Sequence, residues 1–196
     1  MNECKLITFD DIEINEIELA NRIKMPAGTD FEALQRSICE VKKSAKPMFC
    51  CRKADIKVDE DTVDFGFCRV TSKNLAKNLH GLSSAFVMAS TLGIDLDRLI
   101  TRLSVTNKAY GFLSDAAASA MAESLMDYGN NLLMEDYKLR PRFSAGYGDF
   151  DLCCQADLLD FVNADKLLGI KLGDNLMMTP RKSITAVCGI ESVIDK

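Results

Sequence analysis

Arg142-Phe143-Ser144-Ala145-Gly146-Tyr147-Gly148 carries more chemistry per residue than any other stretch of this chain. Arg142 offers a planar guanidinium fork suited to a carboxylate. Gly146 and Gly148 let backbone N–H groups come close to a ligand, and Tyr147 adds a flat ring with a polar tip. The residue types describe a binder of an anion and a ring, although a tight surface turn with an ordinary arginine draws on the same residues. The common nucleotide loops do not fit. A dinucleotide fingerprint needs Gly-x-Gly-x-x-Gly straight after an apolar strand, whereas Gly146-Tyr147-Gly148 follows Arg-Phe-Ser-Ala, and there is no Gly-Lys-Ser/Thr phosphate loop. A Rossmann-type methyltransferase is therefore disfavoured.

Working outward, the pattern downstream predicts a helix over 152–162, a short one near Lys166, and strands at 175–179 and 183–190. Met177-Met178 is expected in the core. Asp149 and Asp151 are read as helix caps, with ligand binding as the alternative. Upstream, a long helix over 107–134 would extend roughly 42 Å at 1.5 Å per residue. Its middle, Asp115-Ala116-Ala117-Ala118-Ser119-Ala120, is unusually small. Small residues either admit a close neighbour or simply favour helix. A helix at 95–104 precedes it, and Ser84–Ser90 reads as a buried strand ending in Thr91-Leu92-Gly93. Ser72 caps a short helix carrying His80. Phe49, Cys51 and 56–58 read as strand, Asp59-Glu60-Asp61 as a turn, and Val63, Phe65 and Phe67 as the returning strand of a hairpin. Ile14, Ile17, Leu19, Ala20 and Ile23 show helical spacing. After a turn at Met25-Pro26-Ala27-Gly28, Thr29 and Glu32 form a capping-box pattern opening a helix through Leu34, Ile38 and Val41. Strands and helices mix without regular β-α-β alternation. The expected fold class is α+β: one helix-rich domain over 1–196 around a largely antiparallel twisted sheet.

Composition narrows the chemistry. Lys+Arg is 24 against Asp+Glu 29, a formal charge of −5, which disfavours a nucleic-acid partner because phosphate contacts need a basic surplus. There is one histidine, His80, and no tryptophan. A zinc enzyme with two or three His ligands is excluded, and a Ser-His-Asp or Cys-His enzyme would have to run through that residue. The eight cysteines include no Cys-x-x-Cys pair, so zinc ribbons and thioredoxin-type motifs are absent and the thiols read as small buried hydrophobes. Neighbours such as Cys50-Cys51 would point to opposite faces of a strand. No catalytic residue and no metal ligand is assigned. The N-terminus lacks a signal peptide's basic start and apolar run, and 85–94 is too short to span a bilayer. The expectation is a cytoplasmic protein without a membrane partner.

Arg142 to Tyr147 resembles the Arg-Pro-x-Pro-Gly-Tyr signature of the activation domain of cobalamin-dependent methionine synthase. Ala122-Glu123-Ser124-Leu125-Met126-Asp127-Tyr128 is similar to that domain's Ala-Glu-x-Phe-x-Glu-Tyr helix. Gly169 to Pro180 resembles its Gly-x-x-Leu-Thr-Glu-Ser-x-x-Met-x-Pro run, with Ser183 following where the family also has a Ser. Ala89-Ser90-Thr91-Leu92-Gly93 with Asp97-Arg98-Leu99-Ile100 looks like stand-alone members of the family. The match is good from 83 to 190 and weak over 1–80. The family's domain binds S-adenosylmethionine, which remethylates an accidentally oxidised cobalamin as an external donor reduces the cobalt. The resemblance implies that Arg142 holds the ligand's carboxylate and Glu123 its ammonium. It places backbone groups near Ser144 and Gly146 on the ligand, and Tyr147 beside it. It also implies a stand-alone accessory protein acting on cobalamin held by a partner. That partner would be a methionine synthase subunit or another corrinoid protein, with a reductant such as flavodoxin or ferredoxin. The alternative is an interaction or electron-transfer module for a corrinoid protein that no longer binds S-adenosylmethionine. Phe143, Ala145 and Gly148 stand where the full-length enzyme's loop has prolines, which implies a more flexible loop.

Overall fold

Ala85-Phe86-Val87-Met88-Ala89 carries no polar side chain, and such a strand needs cover on both faces. The computed structural model, which describes residues 4–24 and 31–194, provides it. The central antiparallel sheet has the order β1 (Lys5–Thr8), β2 (Met48–Asp55), β6 (Ser84–Thr91), β10 (Ser183–Val193), β7 (Tyr137–Leu139). In register, β6 sets Ala89 opposite Cys50 on one side and Val87 opposite Val187 on the other. Alternation then sorts the side chains. Ala85, Val87 and Ala89 join Cys50, Ala54 and Val187 in one core, while Phe86 and Met88 join Phe49, Cys51, Ala186 and Cys188 in the other. Cys50 and Cys51 enter different cores, as the strand argument requires.

The first core is covered by α1 (Glu16–Ile23), α2 (Phe31–Ser44), α4 (Ile94–Thr106) and α5 (Lys108–Met134). The second is covered by α3 (Lys73–Leu79), α6 (Gln155–Phe161), α7 (Ala164–Leu168) and a small sheet of β3 (Lys57–Val58), β4 (Thr62–Asp64) and β5 (Arg69–Thr71). A hairpin of β8 (Lys171–Leu172) and β9 (Met178–Thr179) completes the described residues. No helix among them is long and apolar enough to cross a membrane.

The small residues of α5 serve close approach. Ala117, Ala118 and Ala120 are fully buried. A Cβ on Gly111 would lie 2.7 Å from the Ser104 backbone, and one on Gly129 would lie 2.3 Å from the ring of Phe49. Ser72 caps α3 as expected, accepting from the Leu75 N–H at 3.0 Å, and His80 lies exposed just past that helix. Two stretches need correction. The alternation Val63-Phe65-Phe67 does not continue as strand, because Asp64 Oδ1 accepts from the Gly66 N–H at 2.7 Å and turns the chain. Phe67 stacks instead on Phe161, with ring centroids 4.1 Å apart. Met177 is not core but 54% exposed, because Asn175 Oδ1 caps its N–H and only 178–179 continue as strand. The short strands β1, β5 and β7 carry too few residues for a period to show. Thr29 of the expected capping box lies outside the described residues.

Because Phe49 is fully buried and cannot move aside cheaply, Gly129→Ala is expected to destabilise the fold by about 1–3 kcal/mol. Urea unfolding should show it as a lower midpoint with an unchanged slope.

Candidate functional site

Asp115, Ser119, Glu123 and Asp127 recur every fourth residue of α5 and therefore form one ridge. Basic side chains from other elements pair along it. Lys182, just before β10, reaches Asp115 Oδ1 at 2.8 Å and Ser119 Oγ at 2.7 Å. Arg142 Nη2 lies 3.1 Å from Glu123 Oε2 and 2.9 Å from Asp127 Oδ1. The other two guanidinium nitrogens of Arg142 have no partner among the described residues. Arg22 Nη2 stands 3.8 Å from Glu123 Oε1, while its Nε is held by Glu18 at 2.8 Å. Helix α1 is fixed there because the Asn15 N–H donates to Ser124 Oγ at 3.1 Å, next to Glu123.

The loop that brings Arg142 to this ridge is attached at both ends. Phe143 exchanges two backbone hydrogen bonds with Val187 of β10, each 2.8 Å, and its ring stacks on Phe150. The turn closes on itself through Tyr147 N–H to Ser144 C=O (3.2 Å), Phe150 N–H to Tyr147 C=O (3.0 Å) and Gly146 N–H to Phe150 C=O (2.8 Å). Gly146 has φ +89°, open to glycine at no steric cost. Asp149 then grips the N-terminus of α3, accepting from Ser72 Oγ at 2.5 Å, Lys73 N–H at 2.8 Å and Asn74 N–H at 3.2 Å. Those bonds, led by the Ser72 hydroxyl, hold its carboxyl below the usual aspartate range. Asp151 accepts from the Cys153 N–H at 2.9 Å and caps the turn before α6. Both aspartates are caps, although Asp149 caps α3 rather than the helix that follows it.

Between α5, this loop and β10 lies a cleft of about 520 Å³. Glu123, Arg142, Ser144 and Tyr147, four of the five residues singled out from sequence, line it together with Gln155 and Thr185. Gly146 does not line it; its N–H is spent inside the turn. Gln155 is buried and ties the floor together. It accepts from Thr185 Oγ1 at 3.3 Å and donates to the Leu176 C=O at 3.1 Å. Tyr147 is 65% exposed at the rim. Asp127 and Arg22 escaped the sequence reading. The i+4 spacing from Glu123 would have found Asp127; nothing local points to Arg22, which only the docking of α1 brings in.

No histidine or cysteine lines this cleft. Its chemistry is opposite charges on one wall, a hydrogen-bonding floor and an aromatic rim, which suits holding a ligand in place rather than attacking one. Burial pushes the thiols of Cys51 and Cys188 up to about 11 and about 12, as befits inert core residues. Among the described residues no group of three or more His, Cys, Asp or Glu is placed to hold a metal ion.

A scan of protein-family models finds no match to this sequence, and a search of curated proteins finds none either. The solved structures give a clear answer on architecture. The crystal structure of the MetH reactivation domain bound to AdoHcy aligns with a TM-score of 0.65 over 95% of this chain and 78% of that one, at 12% identity. The fold is that of a methionine synthase reactivation domain. The reactivation-domain architecture extends into the N-terminal region where motifs are sparse. At this identity the likeness establishes the fold alone.

Asp149 ties the cleft loop to α3, so Asp149→Asn is expected to loosen both. Amide exchange should quicken at 73–75 and 146–150. A carboxyl held below its unfolded value contributes stability above the ordinary aspartate pKa of about 3.9. That contribution is lost as pH falls through the lower folded value. The wild-type loop should therefore open on acidification below about pH 4, and the Asn variant should lack that step.

Proposed function

We propose that this chain binds S-adenosylmethionine in the cleft between α5, the 142–150 loop and β10. In this reading it is an accessory module for reductive reactivation of a cobalamin-dependent methionine synthase or another corrinoid protein. The observation that carries this reading is the Arg142–Glu123 pair on the wall of a cleft of about 520 Å³ in a reactivation-domain fold. The size lies within the range of roughly 300–1,000 Å³ usual for small-molecule sites. A zwitterionic amino-acid end needs one anion and one cation side by side, and Glu123 and Arg142 supply them. Glu123 would take the ammonium and Arg142 the carboxylate. Ser144 and Thr185 offer hydroxyls deeper in, and Tyr147 a ring for a flat base. When bound, S-adenosylmethionine supplies an electrophilic methyl group. The chain's own residues orient it, which accounts for a cleft without acid–base machinery. The neighbour's crystal contains AdoHcy, the demethylated form of this ligand. The cobalamin would be held by a partner, and a flavodoxin- or ferredoxin-like protein would supply the electron.

The second reading is an interaction or electron-transfer module for a corrinoid protein without S-adenosylmethionine. It draws on Arg142 Nη2 being held by two protein carboxylates.

Calorimetric titration separates the two. S-adenosylmethionine and S-adenosylhomocysteine are expected to give heat, and Arg142→Ala to weaken binding by about 1.5–3 kcal/mol, tenfold or more. No heat and no thermal shift at millimolar ligand would sink the first reading and leave corrinoid binding as the test of the second.

A further inference from the structure

A guanidinium captures a carboxylate bidentately through one of two faces, Nε with Nη2 or Nη1 with Nη2. Nη2 is common to both. In this chain Nη2 of Arg142 is the atom that Glu123 and Asp127 share, at 3.1 and 2.9 Å. Glu123 accepts a hydrogen bond from this nitrogen and Asp127 sits against it as an ion partner, so both bidentate faces depend on a nitrogen already held between two carboxylates. Glu123 lines the cleft; Asp127, one helical turn further on, does not.

We infer that Asp127 is a positioning residue that competes with the ligand's carboxylate for Arg142, and so sets the affinity of the site from outside it. This inference rests on the S-adenosylmethionine reading above. The two acids are then opposite in effect although they touch the same nitrogen. Glu123 is retained on binding, because its oxygens face the cleft and meet the ligand's ammonium. Asp127 has nothing to offer an ammonium there and must release Arg142. Its side chain is 55% exposed against 32% for Glu123, so water compensates it on release and the competition is modest. An exposed pair of this kind corresponds to about a two- to fivefold effect on affinity. Arg22 does not substitute for Arg142: its own Nε is held by Glu18 and it faces the other oxygen of Glu123.

The test uses the full chain and two readouts, the rate at which phenylglyoxal modifies Arg142 and the affinity for S-adenosylmethionine by calorimetry. Asp127→Asn is expected to speed modification of Arg142 and to tighten binding about two- to fivefold, without change in melting temperature. Asp127→Glu should restore both toward wild type, which a merely structural role would not require. Glu123→Gln should also speed modification but weaken binding about tenfold or more. An unchanged modification rate in Asp127→Asn, or weaker binding by that variant, overturns the inference. Faster modification with no S-adenosylmethionine binding by wild type or variant supports the hold of Asp127 on Arg142 and overturns the ligand reading instead.

Discussion

The structure depends on the burial of β6 and its neighbours on both faces. Ala85, Val87 and Ala89 look into one core and Phe86 and Met88 into the other, so neither layer of helices is optional. Everything at the cleft is hung from this double cover. Helix α5 lies flat on one face because its residues are small, and that brings Glu123 to the edge of the sheet. β10 passes under the edge with Ser183 and Thr185, and the Phe143–Val187 bridge fixes the loop to it. Strongly polar groups therefore gather at a border where two apolar layers end, which is where charged side chains can pair and remain partly wet.

The parts of this fold that could be read from residues are those with long periods. The helix at 108–134, the strand at 84–91 and the helix at 94–106 all stand within two residues of their expected bounds, because the helices carry apolar spacing over ten or more residues and the strand is an apolar run bounded by turn signals. What stayed hidden was decided by single side chains or by docking. Asp64 turning Gly66, and Asn175 capping Met177, are local hydrogen bonds that override alternation and propensity. β1 and β7 are strands only because a neighbouring edge offers partners. In the cleft, Arg142, Glu123, Ser144 and Tyr147 were legible through their resemblance to known motifs. Gly146 was legible as a turn glycine, and its N–H is spent inside that turn. Arg22 was invisible, since its place by Glu123 follows from the docking of α1.

The cysteines illustrate the same division. Adjacent Cys50 and Cys51 could not converge on one site because alternation along β2 separates them, and both thiols are made less acidic, Cys50 chiefly by its pairing with Cys4 and then by burial, Cys51 chiefly by burial. Cys4 differs: its pKa is lowered, chiefly by its interaction with the Cys50 thiol. Its Sγ also lies 3.1 Å from the Val162 carbonyl oxygen. Cys50, Cys51 and Cys188 are buried packing units, and Cys4, Cys50 and Cys188 donate to backbone carbonyls, whereas Cys39 and Cys153 are exposed and depart from the expectation of buried thiols.

The carboxylate of Asp149 has a consequence for how the cleft behaves over time. It bonds to three groups at the start of α3, a helix whose Leu75 and Leu79 are fully buried. A surface loop is ordinarily among the first segments to open, at little free-energy cost. This one is bonded to the start of a core helix, so opening it also breaks those bonds. The entropy of arranging the loop is lost during folding rather than at encounter, and a small molecule arriving at the cleft meets a wall already in place.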